Sequence, residues 1–361
     1  MKYRIPLSYN PIDVDALTKV LRSHEGVHHN QIITDFENEL GALTSSQVVA
    51  VNSGTAAIHL ALLSLGIGPG DVVIAPTFTY VATINPILYV GATPVLVDCE
   101  RETWNMDPAL LEQAIDAQKK KGTLPKAIII VHTYGMPAQM SEIMKIADRE
   151  GIDIIEDAAE SLGATYQTRL TGTFGRIGVY SFNNNKAITT YGGGALITKE
   201  PRLAEKARFY ASQAREDRPY YEHSTIGFNY LMSSLNAAMG LSQLSGLINR
   251  NSARQAVFRK YDEALKGRCC FQQDSEIKTS NRWLSAFVFD DIGYKNLIVN
   301  KLRIHSIETR PLWKPMHSQP IFENFEKFMT GISNDFFEKG LCLPSSLKED
   351  EQAEVLELLE V

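Results

Sequence analysis

Short, almost continuously apolar segments alternate with longer helical patterns from about residue 47 of this 361-residue chain. Such alternation is typical of βαβ units, in which helices cover both faces of a mostly parallel sheet. Helices are predicted near residues 56–65, 107–118 and 140–150. Strands are predicted at residues 48–51, 72–75, 94–98, 127–132, 152–156, 178–182 and 195–198. The sequence therefore indicates an α/β protein with a large, mostly parallel seven-stranded sheet flanked by helices.

The pattern changes after residue 229, where the chain becomes mainly helical to about residue 265. The later elements are predicted as a strand at 283–289 and helices near 294–305 and 350–359. We therefore expect two domains, a large one at 1–245 that includes the N-terminal segment and a smaller C-terminal α/β domain at 246–361. No linker marks the boundary, which can fall within a connecting helix.

Charge and hydropathy exclude several classes of protein. The formal net charge of −6 argues against nucleic-acid binding, because neutralising phosphates needs clustered lysines and arginines. No apolar segment has the length of a signal peptide core or a membrane span. We expect a soluble, cytoplasmic protein without a membrane partner.

Cysteines and histidines give no metal signature. The cysteines, Cys99, Cys269, Cys270 and Cys342, lack the spacing of a zinc site or a disulfide framework. Three histidines lie close together, at His24, His28 and His29, but Gly26 between them makes a ligand-aligning helix doubtful. We predict no metal site.

The first strand is followed by Ser53-Gly54-Thr55-Ala56, which opens a helix. Ligands of open parallel sheets collect beyond the carboxyl ends of the strands. The free N–H groups and positive dipole end of this helix suit a phosphate. A purely structural helix cap explains the same residues.

Asp157 ends another apolar strand, where an uncompensated charge would be costly. It calls for a cationic partner, and a protonated pyridine nitrogen is one. A loop-capping aspartate is the alternative. Tyr80, also at a strand end, suits stacking on a flat heteroaromatic ring, although core packing is equally compatible.

Lys186 follows the strand that ends near Ser181, and a glycine run at 192–194 comes shortly after it. A lysine there can form a Schiff base with a cofactor aldehyde and later shuttle a proton. Most lysines in polar loops are simply solvated. The glycine run precedes a strand instead of opening a helix, which is the wrong order for a dinucleotide site.

Together these segments resemble the DegT-type family of sugar aminotransferases, within the fold-type I enzymes that use pyridoxal 5′-phosphate (PLP). The resemblance covers nearly the whole chain. It is carried by residues 53–57, 103–107, 156–160, 172–175, 181–182 with Lys186, 227–230 and 310–317.

The resemblance implies a role for each matching position. Lys186 would bind PLP covalently and Asp157 would pair with the pyridine nitrogen. The other cofactor contacts would be ring stacking by Tyr80, phosphate binding by Gly54, Thr55 and Ser181, and a polar contact near the ring hydroxyl from Glu160. Asn229 would complete the site of the neighbouring subunit, which implies a homodimer.

Some positions depart from the family pattern, and one of them bears on substrate binding. Leu231 stands where many members carry an arginine that helps to hold the substrate anion. Arg215, Arg310 or His317 would then take over substrate binding.

The run at 310–317 resembles the branch of the family that makes 4-amino-4,6-dideoxy sugars on UDP. This resemblance implies transfer of the amino group of L-glutamate to UDP-4-keto-6-deoxy-N-acetylglucosamine, for surface glycan biosynthesis. The alternatives are an aminotransferase for 3-keto nucleotide sugars, a PLP-dependent sugar dehydratase and a non-catalytic regulator. Lys186 weighs against the dehydratase, because family dehydratases replace this lysine with histidine.

Overall fold

A computed structural model describes residues 3–26 and 28–359 of the chain. The helices, in chain order, are α1 Val14–Ser23, α2 His29–Thr44, α3 Gly54–Ser64, α4 Asn85–Tyr89, α5 Pro108–Lys120, α6 Met140–Glu150, α7 Pro201–Ala211, α8 Ser234–Leu244, α9 Leu247–Ala264, α10 Ile292–Ile304, α11 Ile332–Lys339 and α12 Glu349–Leu359. The strands are β1 Gln47–Val51, β2 Val72–Pro76, β3 Thr93–Val97, β4 Ala127–Val131, β5 Asp153–Asp157, β6 Thr165–Tyr166, β7 Arg169–Leu170, β8 Ile177–Ser181, β9 Gly194–Thr198, β10 Cys269–Cys270, β11 Lys278–Thr279, β12 Ser285–Phe289, β13 Lys327–Phe328 and β14 Gly340–Leu343.

The main sheet has eight strands in the order β1-β9-β8-β5-β4-β2-β3-β13. Only β9 runs antiparallel to its neighbours, β1 and β8, and the other pairings are parallel. The predicted α/β fold with a mostly parallel sheet is confirmed. The sheet exceeds the seven predicted strands by β13, a two-residue strand contributed by the last third of the chain.

Helices cover both faces of the main sheet because its strands are apolar at nearly every position. In β2, Val73 and Ala75 pack on one side with residues of α3 and α7. Val72 and Ile74 pack on the other side with residues of α5 and α6. Each fully buried valine or isoleucine contributes about 1.5–3 kcal/mol, so this two-sided burial fixes the position of the strand ends.

The C-terminal third forms a smaller antiparallel sheet, β10-β12-β14. Helices α9, α10 and α12 share a hydrophobic cluster with this sheet, and Ile5 from the N-terminal segment joins the same cluster. Residues Ser245 and Gly246 separate α8 from α9 at the predicted boundary. The division of the chain into two domains stays a prediction.

Within the described ranges, no helix combines the length and hydropathy needed to cross a membrane. The same residues contain no group of three or more histidine, cysteine or acidic side chains placed to hold a metal ion. His24 bonds the carboxylate of Asp35 at 2.8 Å, and the side chain of His29 lies outside the described part of the structure. All four cysteines are free thiols.

Candidate active site

A cavity of about 700 Å³ opens beyond the carboxyl ends of the central strands. It gathers residues from the ends of β1, β2, β5 and β8 together with residues of the C-terminal third. Among its lining residues are 52–55, Thr79, Tyr80, Thr83, Asp157, Glu160, Ser181, 183–186, Gly192, Gly193, Trp283, Glu308, Arg310 and Trp313. The structure thus brings eight of the predicted site residues together, namely Gly54, Thr55, Tyr80, Asp157, Glu160, Ser181, Lys186 and Arg310.

The first turn of α3 forms one end of the cavity. Ser53 caps the helix by accepting a hydrogen bond from the Ala56 amide at 3.0 Å. A Cβ atom at Gly194 would lie 2.6 Å from the Gly54 nitrogen, so only glycine lets β9 run directly beneath the start of the helix. Ser181, at the end of β8, faces the same turn. A helix start with free amides beside a hydroxyl fits a phosphate group.

Asp157 lies deeper in the cavity, at the end of β5, and is 5% exposed. One carboxylate oxygen accepts a hydrogen bond from the Thr83 hydroxyl at 2.8 Å, and the other accepts from the Ala159 amide at 3.2 Å. Burial raises the pKa of this carboxyl, an effect that the two hydrogen bonds and the charge of Lys186 oppose. A further cation at this carboxylate would compensate its burial.

The side chain of Lys186 reaches into the same space. Its Nζ atom lies 3.7 Å from Glu160 Oε1 and 3.9 Å from the centre of the Trp283 ring. Burial lowers the pKa of Lys186, and the nearby charges of Glu160 and Asp157 counteract part of this effect. A lysine with a lowered pKa loses its proton more readily and so becomes a better nucleophile.

Glu160 is held in place by the Tyr134 amide, which donates to its Oε2 atom at 2.7 Å. Burial raises the pKa of Glu160 to about 7. Its side chain therefore exchanges a proton close to neutral pH, directly beside Lys186.

A row of aromatic rings leads from the mouth of the cavity to Lys186. Tyr80 is 53% exposed and lies 5.3 Å from Trp313, centre to centre. Trp313 stacks on Tyr134 at 5.7 Å, and Tyr134 stacks on Trp283 at 6.3 Å. The exposure of Tyr80 shows that it is not a core residue. Sequence reasoning assigned no role to the other three rings, because they come from segments that lie far apart in the chain.

The remaining predicted residues lie outside the cavity of this chain. Asn229 is exposed, and its carbonyl accepts a hydrogen bond from Asn52 at 3.2 Å. Arg215 stacks over the Tyr221 ring at 4.7 Å. The Nδ1 atom of His317 lies 2.8 Å from the Thr77 hydroxyl.

Comparison with known proteins agrees with the chemistry that the geometry of the cavity suggests. The model of the DegT/DnrJ/EryC1/StrS aminotransferase family matches residues 10–360. The chain belongs to this family. EpsN of Bacillus subtilis (strain 168), named a pyridoxal phosphate-dependent aminotransferase, is 45% identical over 95% of this chain and 91% of its own length. GDP-perosamine synthase of Escherichia coli O157:H7 is 36% identical over 87% of this chain and 84% of its own length.

A solved structure agrees with these relatives. The sugar aminotransferase Spr1654 from Streptococcus pneumoniae, in its PLP form, superposes with a TM-score of 0.89 at 26% identity, covering 99% of this chain and 98% of the other. The predictions of the family, the PLP cofactor and the enzyme class are confirmed. The protein is a PLP-dependent sugar aminotransferase of the DegT family.

The cavity fits this cofactor. It combines a helix start suited to phosphate, a buried carboxylate suited to a pyridinium nitrogen, and a lysine of lowered pKa in the same cavity. Gly194 keeps the phosphate end open, because a side chain there would collide with the first turn of α3.

Proposed function

We propose that this aminotransferase moves the amino group of L-glutamate to a nucleotide-linked 4-keto-6-deoxy sugar, UDP-4-keto-6-deoxy-N-acetylglucosamine. The product is a 4-amino-4,6-dideoxy sugar for surface glycan biosynthesis. Glutamate leaves as 2-oxoglutarate while the keto carbon of the sugar gains the amine, so the exchange needs no further oxidant or reductant. The observation that carries the proposal is Lys186 Nζ, held in the cavity by Glu160 and Trp283 and beside Asp157.

Each cofactor-facing residue has a proposed task. Bound PLP supplies an aldehyde for the lysine and a ring that withdraws electrons from the reacting carbon. Asp157 holds the pyridine nitrogen in its protonated form. Tyr80 stacks on the ring, and Glu160 contacts the ring hydroxyl. The phosphate is bound at the start of α3 by Gly54, Thr55 and Ser181.

Lys186 is also the proposed proton carrier at the reacting carbon. Its pKa is lowered by burial, so it gives up a proton more readily than an exposed lysine does. Glu160 and the face of the Trp283 ring stabilise the ammonium form. This arrangement keeps the amine within the cavity whenever it is not bonded to PLP.

The mouth of the cavity is the proposed sugar-nucleotide site. Arg310 lines it with a side chain that is 58% exposed and that pairs with Glu308 at 2.6 Å. A diphosphate would bind the exposed guanidinium, and Trp313 and Tyr80 offer apolar surface to the sugar. This supports Arg310 as the residue that replaces the family arginine, whose position is occupied by Leu231 in this chain. His317 stays a predicted substrate residue.

We propose a homodimer in which Asn229 and Arg215 reach the site of the neighbouring subunit. Both residues are exposed and lie outside the cavity of their own chain. The segment between them also exposes large apolar side chains, with Tyr221 80% and Ile226 79% exposed. An exposed apolar patch of this kind commonly marks a protein interface.

The relatives named GDP-perosamine synthase favour a second candidate substrate, a GDP-linked sugar. The enzyme class and the PLP cofactor are the same for both candidates. They differ in the nucleotide, and the 3-keto position remains the alternative for the sugar.

The test is incubation of the purified enzyme with L-glutamate and a panel of UDP-, GDP- and dTDP-linked keto sugars, followed by mass and NMR analysis. We expect an amine at carbon 4 of the UDP-linked sugar. Amination of only a GDP-linked or a 3-keto substrate would reject this version.

The panel is repeated with two lysine variants. Lys186→Ala should abolish turnover and still bind the aminated form of the cofactor. Lys206→Ala removes an ammonium that bonds the Ser64 carbonyl outside the cavity, and this variant should behave like wild type. Substantial activity in Lys186→Ala would defeat the assignment of the lysine.

A further inference from the structure

The loop that bears Lys186 is held by side chains from other parts of the chain. Each of the four successive carbonyls at residues 184–187 accepts a hydrogen bond from such a side chain. The donors are Ser8 and Asn10 of the N-terminal segment, Arg254 of α9, and Trp283, whose indole N–H bonds the carbonyl of residue 185 at 2.6 Å. The loop therefore depends on distant side chains for its conformation.

The carbonyl oxygen of Lys186 has two of these donors. Asn10 Nδ2 binds it at 2.7 Å, and Arg254 Nη2 binds it at 3.3 Å. Asn10 also donates to the Asn184 carbonyl at 3.2 Å, and Arg254 Nη1 donates to the Ala187 carbonyl at 3.3 Å. The two side chains are joined to each other, since Arg254 Nη2 donates to Asn10 Oδ1 at 2.8 Å.

Arg254 is an unusual residue to find in a protein interior. It is 3% exposed, and within residues 3–26 and 28–359 no carboxylate lies at ion-pair distance from it. Burial lowers its pKa to about 10, so it remains a cation at neutral pH. A buried charge without a counter-ion destabilises a fold by several kcal/mol, whereas an apolar side chain of similar length would not. Its guanidinium instead donates hydrogen bonds to main-chain carbonyls and to Asn10.

We infer that Arg254 and Asn10 form a clamp on the main chain of Lys186 that sets where its amine lies in the cavity. The inference rests on the proposed role of Lys186 as the residue that bonds PLP. Arg254 acts through the carbonyl of Lys186 and is a positioning residue. Displacement of a reacting group by about 1 Å can cost on the order of 100-fold in rate, so a loosened clamp should slow the bond-forming step.

The test uses four variants of the full chain. Arg254→Met removes both donors and the charge, Arg254→Lys keeps the charge without the fork that spans two carbonyls, and Asn10→Ala removes the other donor. Arg250→Met is the matched control, because Arg250 lies one turn earlier on α9, is half-buried and donates to none of the four carbonyls. Its charge repels that of Arg254, so this variant removes a neighbouring cation while every donor of the clamp stays in place. The apo enzyme is mixed with PLP, and growth of the visible absorbance band of the lysine imine is followed by stopped flow.

We expect Arg254→Met to slow imine formation on the order of 100-fold, with partial recovery in Arg254→Lys. Asn10→Ala should slow it on the order of 10-fold, and Arg250→Met should match wild type. The half-reaction with L-glutamate should follow the same order. A lower melting temperature combined with wild-type rates in Arg254→Met would overturn the clamp, because it would show a role in packing alone.

The double variant Asn10→Ala/Arg254→Met measures the coupling. Both side chains bind the Lys186 carbonyl and Arg254 also donates to Asn10, so removing either one loosens the other, and the double variant should be less slow than the product of the two single effects predicts. An effect equal to that product would show that the residues act independently and would reject a shared clamp. If Arg254→Met fails to fold, Arg254→Lys and Asn10→Ala decide the question, and wild-type rates in both reject it.

The controls separate this inference from the proposed function. Absence of the visible band in wild type, or a band that persists in Lys186→Ala, would reject the assignment of Lys186. A wild-type band that depends on Lys186 but forms equally fast in Arg254→Met and Asn10→Ala would reject only the clamp.

Discussion

Two acidic residues stand side by side at the end of β5 and have different surroundings. Glu156 is 0% exposed and Asp157 is 5% exposed. Successive strand residues point to opposite faces of a sheet, so the two carboxylates face different layers of the protein. Burial is nearly the same for both, and what distinguishes them is the set of donors around each carboxylate.

The Glu156 carboxylate accepts hydrogen bonds from four groups of the protein itself. It accepts hydrogen bonds from the amides of Gly172, Phe174 and Gly175, and from His132 Nε2 at 2.9 Å. The Nδ1 atom of His132 accepts from the Ala138 amide at 3.1 Å, so the proton of a neutral imidazole lies on Nε2 and points to Glu156. This carboxylate fastens the 172–175 loop to the sheet.

Asp157 receives one hydroxyl and one amide donor and borders the cavity. The comparison teaches that a buried carboxylate alone does not indicate a cofactor site. The useful sign is a carboxylate with few internal donors that lines a cavity opposite a lysine.

The largest expected effect is that of Asp157→Asn. Loss of the anion proposed to stabilise a protonated pyridine nitrogen should lower kcat by about 100- to 1,000-fold. Because burial raises the pKa of Asp157, its charged form is disfavoured in the fold, and the cofactor-free variant should melt no lower than wild type. Single-turnover kinetics with L-glutamate and thermal unfolding check both statements. A near wild-type rate would contradict the proposed role of Asp157 at the cofactor.

Glu156→Gln should show the opposite behaviour. Glutamine offers one acceptor oxygen and no charge to the four donors that now bind the carboxylate. The free energy of unfolding should therefore fall by about 3 kcal/mol, while kcat of the folded enzyme stays within a few-fold of wild type. Urea unfolding measures the change. The control is Glu112→Gln, which alters a surface carboxylate that pairs with Arg149 and should change stability by less than about 0.5 kcal/mol. A catalytic defect without loss of stability would contradict the structural role.

The last prediction concerns Glu160→Gln and tests a third carboxylate through the pH dependence of the protein's stability. Burial raises its pKa from the ordinary value of 4.5 to about 7, so between these values the folded state holds a proton that the unfolded state lacks. The stability of wild type therefore falls as pH rises through this window, on the order of 3 kcal/mol in total. Glutamine does not titrate, and the variant should gain on wild type between pH 5 and pH 8. Parallel stability curves for the two cofactor-free proteins would count against the raised pKa.

The sequence predicts the main sheet well because its strands are continuous apolar runs between turns. Predicted 127–132 is observed as Ala127–Val131, and predicted 152–156 as Asp153–Asp157. Strand β13 was not predicted, since two residues carry no periodic signal. The strand predicted to begin at Trp283 begins at Ser285, because Trp283 instead turns its indole N–H to the Lys186 loop.

The residues of the site likewise fall into those that a local sequence pattern predicts and those that it does not. Asp157, Lys186 and the start of α3 could be predicted, because strand ends of a parallel sheet meet at one edge. Trp313 reaches the cavity from the run 310–317, which the sequence marks only through the family resemblance, and Arg254 contacts the Lys186 loop from α9, where no local pattern marks it. The position of His317 against Thr77 is set by tertiary packing that sequence spacing does not encode.

Borohydride reduction of the purified enzyme followed by peptide mapping tests the central claim most directly. We expect the visible band to disappear and the reduced cofactor to be recovered on the peptide that contains Lys186. Recovery of the label on any other lysine, or on none, would contradict it.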